Sequence, residues 1–180
     1  MRLRPSAVVV MLLAACAPPE FLNPLTPAAG AKIDAALLGS WLEAKSESKP
    51  MRLEITAREG GVMSFLLPKK GKEQSLRFEG HVSVLGATRV LNLKAVEGEL
   101  AGESLLLVRY ELAADGTLRF WVMRDAEFRR AVKDGSLKGR TSGGSPSTVI
   151  VSDTPEKVRA FVNEQKSDEL WEPLASFKKG

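Results

Sequence analysis

Met51-Arg52-Leu53-Glu54-Ile55-Thr56-Ala57-Arg58, then Glu59-Gly60-Gly61, then Val62-Met63-Ser64-Phe65-Leu66-Leu67 is the stretch that decides the fold. Leu53, Ile55 and Ala57 alternate with Arg52, Glu54, Thr56 and Arg58. Side chains on a strand project to opposite faces with a period of two, so this run predicts a half-buried strand. The Glu-Gly-Gly segment supplies a turn and Val62–Leu67 the returning strand, which together make a hairpin.

The same pattern continues toward the C-terminus. After a turn at Lys69-Lys70-Gly71-Lys72, the residues Leu76, Phe78, Val82 and Val84 alternate with Arg77, Glu79, His81 and Ser83. Thr88–Val96 places Leu91 and Leu93 on one face. Ser104–Leu112 and Thr117–Met123 form a second hairpin around Ala114-Asp115-Gly116. Thr148–Ser152 reads as a strand after the Gly/Ser-rich loop Thr141–Ser147, and Leu170–Phe177 as a closing strand interrupted by Pro173.

Two helices interrupt the β pattern. Asp125 caps Ala126–Asp134, with Phe128 and Val132 on one side and Gly135 as the stop. Thr154-Pro155-Glu156 opens the other with a cap, a proline at the first helical position and an acid near the positive end; Val158, Phe161 and Val162 form its apolar stripe. A further short helical segment is expected over Ala31–Leu38. The fold class that follows is mainly β with two short helices, an antiparallel up-and-down sheet closed or nearly closed into a barrel or half-barrel. Gly39-Ser40-Trp41, just before the first hairpin, resembles the Gly-x-Trp start of lipocalin-like barrels. That resemblance implies a barrel that binds apolar ligands, and Trp41, Leu53, Ile55, Leu93 and Phe120 are the candidate pocket-lining residues.

The N-terminus carries an address. Met1-Arg2-Leu3-Arg4 is basic, and Ala7–Ala15 is an apolar run. At about 1.5 Å per residue this run covers roughly 14 Å, half of a hydrocarbon core of about 30 Å, so it suits a secretory signal rather than a membrane span. It ends Leu13-Ala14-Ala15-Cys16, which resembles the lipobox of bacterial lipoproteins. The resemblance implies cleavage before Cys16, lipid on its thiol and a membrane anchor of two or three acyl chains. A single chain binds membranes only marginally, at about 0.8 kcal/mol per buried CH2, so several are needed. Ala17 follows where an aspartate tends to mark inner-membrane retention, so the expected location is the outer membrane facing the periplasm if the source is Gram-negative.

The expected organisation is a signal at 1–15, a lipidated Pro/Ala-rich tether at 16–32 and one β-rich domain at 33–180. Pro18, Pro19, Pro24 and Pro27 favour extended backbone. At about 3.1 Å per residue the tether would reach roughly 50 Å. The other reading is an ordered arm packed on the domain through Phe21 and Leu22.

Composition excludes several chemistries. Cys16 is the only cysteine and His81 the only histidine. The exported domain therefore has no internal disulfide, no thiolate nucleophile and no multi-histidine or cysteine metal site. No metal or other cofactor is expected. Removing Arg2 and Arg4 with the signal lowers the formal charge from +4 to +2, and no basic stripe is interleaved with aromatics, so nucleic acid is not an expected partner.

The remaining candidates each have a plainer reading. Trp41 suits core packing at the bottom of a barrel better than a pocket mouth. His81 alternates with Arg77 and Glu79, which predicts a solvated strand face and a His81→Ala stability change within about 0.5 kcal/mol. Glu97, Glu99 and Glu103 read as a charged loop rather than a carboxylate pair, and Arg124, Arg129, Arg130 and Lys133 as a solvated helix face or a contact for lipid headgroups or peptidoglycan phosphates. Leu118–Met123 is apolar on both faces and reads as a strand buried between core and helix. The expected protein is a monomeric, non-catalytic envelope lipoprotein whose barrel binds a small apolar ligand or an envelope protein. The alternatives are a structural lipoprotein with a filled core and, less favoured, an envelope hydrolase.

Overall fold

The computed structural model describes residues 17–45, 50–68, 75–97, 102–143, 147–165 and 167–180. The expected signal, Cys16 and Glu99 lie outside the described residues. In chain order the strands are β1 (Glu20–Phe21), β2 (Gly39–Glu43), β3 (Arg52–Ala57), β4 (Met63–Leu67), β5 (Leu76–Leu85), β6 (Thr88–Glu97), β7 (Leu105–Leu112), β8 (Leu118–Met123), β9 (Gly139–Thr141), β10 (Val149–Val151) and β11 (Trp171–Lys179). Helix α1 (Asp125–Asp134) follows β8; α2 (Pro155–Glu164) and the single turn α3 (Ser167–Leu170) precede β11.

Eight strands close a barrel. β2 to β8 pair each with the next, and β11 enters between β8 and β2, all antiparallel. Closure leaves none of these eight with an open edge. The architecture is a lipocalin-like barrel. Alternation sets the register: Trp41 lies opposite Leu53, and Ile55 opposite Phe65, all buried inside. The β8–β11 register breaks between Pro173 and Ala175, where proline lacks the N–H a ladder needs.

One barrel strand was not in the expected set, and one expected strand is not in the barrel. Gly39–Glu43, expected only as the lead-in to the first hairpin, is barrel strand β2. The strand expected at Thr148–Ser152 exists as β10 but lies outside the barrel. It pairs in parallel with β1 and antiparallel with the exposed edge strand β9, and β1 in turn bridges to β7 through Phe21 and Leu105.

This flap and the helices build a second apolar layer on the outside of the barrel wall. Val90, Leu107 and Met123 point outward from β6, β7 and β8 and meet Phe21, Leu25, Val149, Val151, Phe128 of α1 and Val158 of α2. The Phe21 and Phe128 rings meet edge-on at 5.2 Å. Val90 to Leu93 are all buried because β6 is covered on both faces. α1 ends at Gly135, whose φ of +82° suits a residue without a Cβ. α2 begins as expected, with Thr154 Oγ1 accepting from Lys157 N at 3.5 Å. Asp153, buried before it, accepts from the N–H groups of Lys138 and Thr154, each at 2.9 Å.

The tether expected at 16–32 is corrected over its described part: residues 17–32 are a docked arm. Phe21 and Leu25 are buried, and β1 extends the flap. Past β1 the arm runs through bends and a turn closed by the Ala31 N–H on the Ala28 carbonyl, irregular backbone in which prolines are at home. Leu25, rather than the 47% exposed Leu22, joins Phe21 as the second anchor. The helical segment expected over Ala31–Leu38 shrinks to one turn, Ala35–Leu37, capped by Asp34, which accepts from Ala36 N at 3.2 Å.

Candidate functional site

The arm crosses one end of the barrel and is pinned on both sides. The first clasp is on the outer face of β5 and β6. Asn92 Oδ1 accepts the Leu25 N–H at 2.7 Å, while Asn92 Nδ2 donates to Ser83 Oγ at 2.7 Å and to the His81 carbonyl at 3.2 Å. Ser83 Oγ lies 2.6 Å from Thr26 Oγ1, and His81 Nε2 lies 2.7 Å from the Thr26 carbonyl oxygen. His81, Ser83 and Asn92 are all buried, and each has found a partner, as buried polar groups must.

The second clasp is Asp34. Its Oδ2 accepts from Arg89 Nη1 at 2.7 Å and from the Tyr110 hydroxyl at 2.8 Å. Burial pushes the Tyr110 phenol well above its ordinary range, and the hydrogen bond to Asp34 adds to the shift. Between the clasps Pro27–Ile33 arches over the rim. At its crest Ala31 rests on Gly61 in the β3–β4 turn; Gly61 has φ +77°, and a Cβ there would collide with the Ala31 carbonyl.

Beneath the arch lies an open cleft of about 620 Å³. Ala31, Ile33, Val82 and Val84 give it apolar walls, and Lys32, Arg89 and Asp34 charge its rim. Val84 is 62% exposed, an unusual position for a large aliphatic side chain. A smaller cavity of about 170 Å³ lies between the start of β6 and the end of α2, lined in part by Thr88, Val162 and Trp171.

The five residues expected to line a pocket do come together, inside the barrel. Trp41, Leu53, Ile55, Leu93 and Phe120 belong to one buried cluster with Phe65, Leu91 and Phe177, and none of them lines either cavity. Trp41 closes the barrel end as packing: its Nε1 donates to the Leu37 carbonyl at 2.7 Å. Lys179 caps it, with the ammonium 4.3 Å from the ring centroid and donating to the Leu38 carbonyl at 2.7 Å.

His81 is the clear correction. The solvated face expected from its neighbours is covered, and the residue is 6% exposed, because the arm lies over that part of β5. Glu97 pairs with Arg77 at 2.6 Å and Glu103 is exposed. Arg129 pairs with Asp125 at 2.6 Å and Arg130 with Glu127 at 3.3 Å along α1. Leu118–Met123 is buried on its inner face through Leu118, Phe120 and Val122; its outer face is covered only in part, with Met123 buried, Trp121 half-buried under Arg109 at 4.7 Å and Arg119 exposed. Thr26, Asp34, Ser83, Asn92 and Tyr110 were not expected as site residues. Asn92 had a sequence signal, a lone amide within Val90-Leu91-Asn92-Leu93.

Among the described residues no three His, Cys, Asp or Glu side chains gather as a metal cluster, and no helix is long and apolar enough to cross a membrane. No protein-family model, curated protein or solved structure matches the chain.

Proposed function

We infer that the chain is a non-catalytic cell-envelope lipoprotein, anchored by lipid on Cys16, whose arm–barrel cleft binds a small apolar ligand. In a Gram-negative cell it would sit in the outer membrane facing the periplasm. The observation that carries the binding reading is the roughly 620 Å³ cleft with the exposed Val84 on its floor, a size within the range of small-molecule sites. The anchor rests on the basic start, the short apolar run and the Leu13–Cys16 motif. The lone imidazole is engaged by the Thr26 carbonyl, which favours a structural role over that of a general base.

The site differs from the one the barrel resemblance implies. Aromatic and aliphatic side chains fill the interior, so the cleft outside it is the better candidate. The same filling favours a second reading, a structural or assembly lipoprotein without a ligand. Titrating the neutral apolar dye N-phenyl-1-naphthylamine onto the chain beginning at Ala17 separates the two. Saturable fluorescence enhancement that Val84→Asp abolishes, at an unchanged thermal midpoint, supports the cleft; enhancement that survives Val84→Asp, or none at all, leaves the structural reading. For the anchor, Cys16→Ser should eliminate labelling by a fatty-acid analogue and release the domain from membranes or leave an unprocessed precursor. Label retained on the serine variant would refute it.

A further inference from the structure

We propose that the mature domain lies directly against anionic phospholipid headgroups of its anchoring membrane, through the β9–β10 flap and the basic end of α1. The proposal rests on the lipid anchor inferred above.

The first observation is the short reach left to the anchor. With the arm docked from Glu20 onward, only four Cα–Cα steps separate Cys16 from β1, at most about 15 Å. An undocked tether of the whole 16–32 stretch would allow about three times that. The arm cannot pay out without breaking the parallel β1–β10 pairing, exposing Phe21 and Leu25, and parting the Leu25–Asn92 hydrogen bond.

The second observation is where the charge lies. Glu20 pairs with Ile150, and Ile150 with Arg140, so Arg140 stands only two strand spacings, about 10 Å, from the point where the lipidated end leaves the sheet. From Arg129 to Ser152 the sequence holds Arg129, Arg130, Lys133, Lys138 and Arg140 against a single acid, Asp134. That segment is +4, whereas the chain from Cys16 onward is +2, so the rest of the mature chain is −2. Arg129 and Arg130 are paired with Asp125 and Glu127, but Lys133, Lys138 and Arg140 are exposed. Lys133, Lys138 and Arg140 therefore put exposed positive charge on the side of the molecule that carries the lipidated end. Lysine and arginine at a membrane surface are attracted by anionic lipid, an effect that salt screens within about 10 Å.

The barrel ring supplies an internal control. β3 is four strands from β7, on the opposite wall from the strand that carries the flap. Thr141 is exposed on β9, and Thr56 is exposed on β3. With the Cys16 thiol taken by lipid, Thr141→Cys and Thr56→Cys each give a single site for a fluorophore. The test reconstitutes each lipidated protein into vesicles of phosphatidylcholine with or without phosphatidylglycerol, with a headgroup nitroxide as quencher.

Quenching should be several-fold stronger at position 141 than at 56 in phosphatidylglycerol vesicles. The contrast should fall toward parity at high salt, without phosphatidylglycerol, and in a Lys133→Gln, Lys138→Gln, Arg140→Gln variant. Equal quenching at the two sites, or a contrast indifferent to lipid charge and to the triple variant, overturns the proposal. If mass spectrometry shows lipid on Cys16 in those samples, the failure belongs to the orientation alone; an unlipidated Cys16 removes the anchor reading and this proposal together. A basic face that binds isolated cell wall but shows no headgroup contrast also overturns it.

Discussion

Inside the barrel, Leu53, Ile55, Leu93 and Phe120 belong to one apolar cluster, while outside the same wall Val90 and Leu107 share their layer with the buried polar groups His81, Ser83 and Asn92. The inner cluster is assembled mainly by strands that neighbour each other in sequence. The outer one joins distant pieces: Leu25 to Asn92 across 67 positions, His81 to Thr26 across 55. The interior therefore gains its stability from packing, whereas the outer layer uses directional hydrogen bonds to choose which segment covers it. Buried polar groups that are fully paired can specify one arrangement, and they are costly when a partner is lost.

Phe120→Ala probes the packing half of this comparison and should have the largest effect. Phe120 is buried and meets Phe177 edge-on at 5.9 Å. Truncating a buried aromatic leaves a cavity and costs about 3–5 kcal/mol. Denaturant unfolding should show one shifted cooperative transition, with barrel and arm lost together. A loss below about 1 kcal/mol would mean that the interior is not tightly packed.

Asn92→Leu probes the clasp and should cost less, about 2–3 kcal/mol, through the stranded Leu25 N–H and the lost bonds to Ser83 and His81. Its signature is local. Proteolysis within Pro27–Ile33 should accelerate well before the barrel unfolds. If cleavage of the arm and unfolding of the barrel stay coupled, the clasp is not a separate cooperative element and the contrast between the two regions fails.

The same contrast explains what the sequence made legible. Alternation from Met51 to Met123 needs only local periodicity, and it yields the hairpins, the inward set including Leu53 and Phe120, and the barrel class. Trp41 packs inside rather than lining a pocket, and β2 around it has no sequence signal of its own, because Gly39–Glu43 is too mixed to show a period. The arm was legible only as proline-rich chain. Phe21 and Leu25 look incidental until the flap that receives them exists, and β10 lies well over 100 residues further on. His81 was misplaced for the same reason: periodicity gives the face of a strand, but not what a distant segment lays over that face.

His81→Ala sharpens that point. Its removal leaves the Thr26 carbonyl with one partner fewer in a part-buried setting, so the cost should be about 1–2 kcal/mol rather than the half or less of a solvated site. His81→Gln, which can still donate to the Thr26 carbonyl, should recover part of it. An alanine variant with an unchanged thermal midpoint would show that the arm is held without the imidazole.

Tyr110→Phe tests the second clasp and should have the smallest effect at neutral pH, about 0.5–1.5 kcal/mol, since Asp34 keeps Arg89 and the Ala36 N–H. The informative readout is its dependence on pH. The folded phenol titrates above its usual value because burial and the bond to Asp34 favour the protonated form. In the unfolded chain it ionises near pH 10. Above that pH the unfolded state binds fewer protons than the folded state, so the contribution of Tyr110 is fully present below about pH 10 and declines as pH rises toward the folded value. Phenylalanine has no proton to lose. Denaturant midpoints of wild type and variant should therefore converge as pH rises from neutrality past about 10, with lysine titration common to both and cancelling in the difference. A gap that stays constant or widens over that range would place the phenol in water and leave Asp34 held to the barrel by Arg89 alone, with the His81–Asn92 clasp as the arm's main buried polar hold.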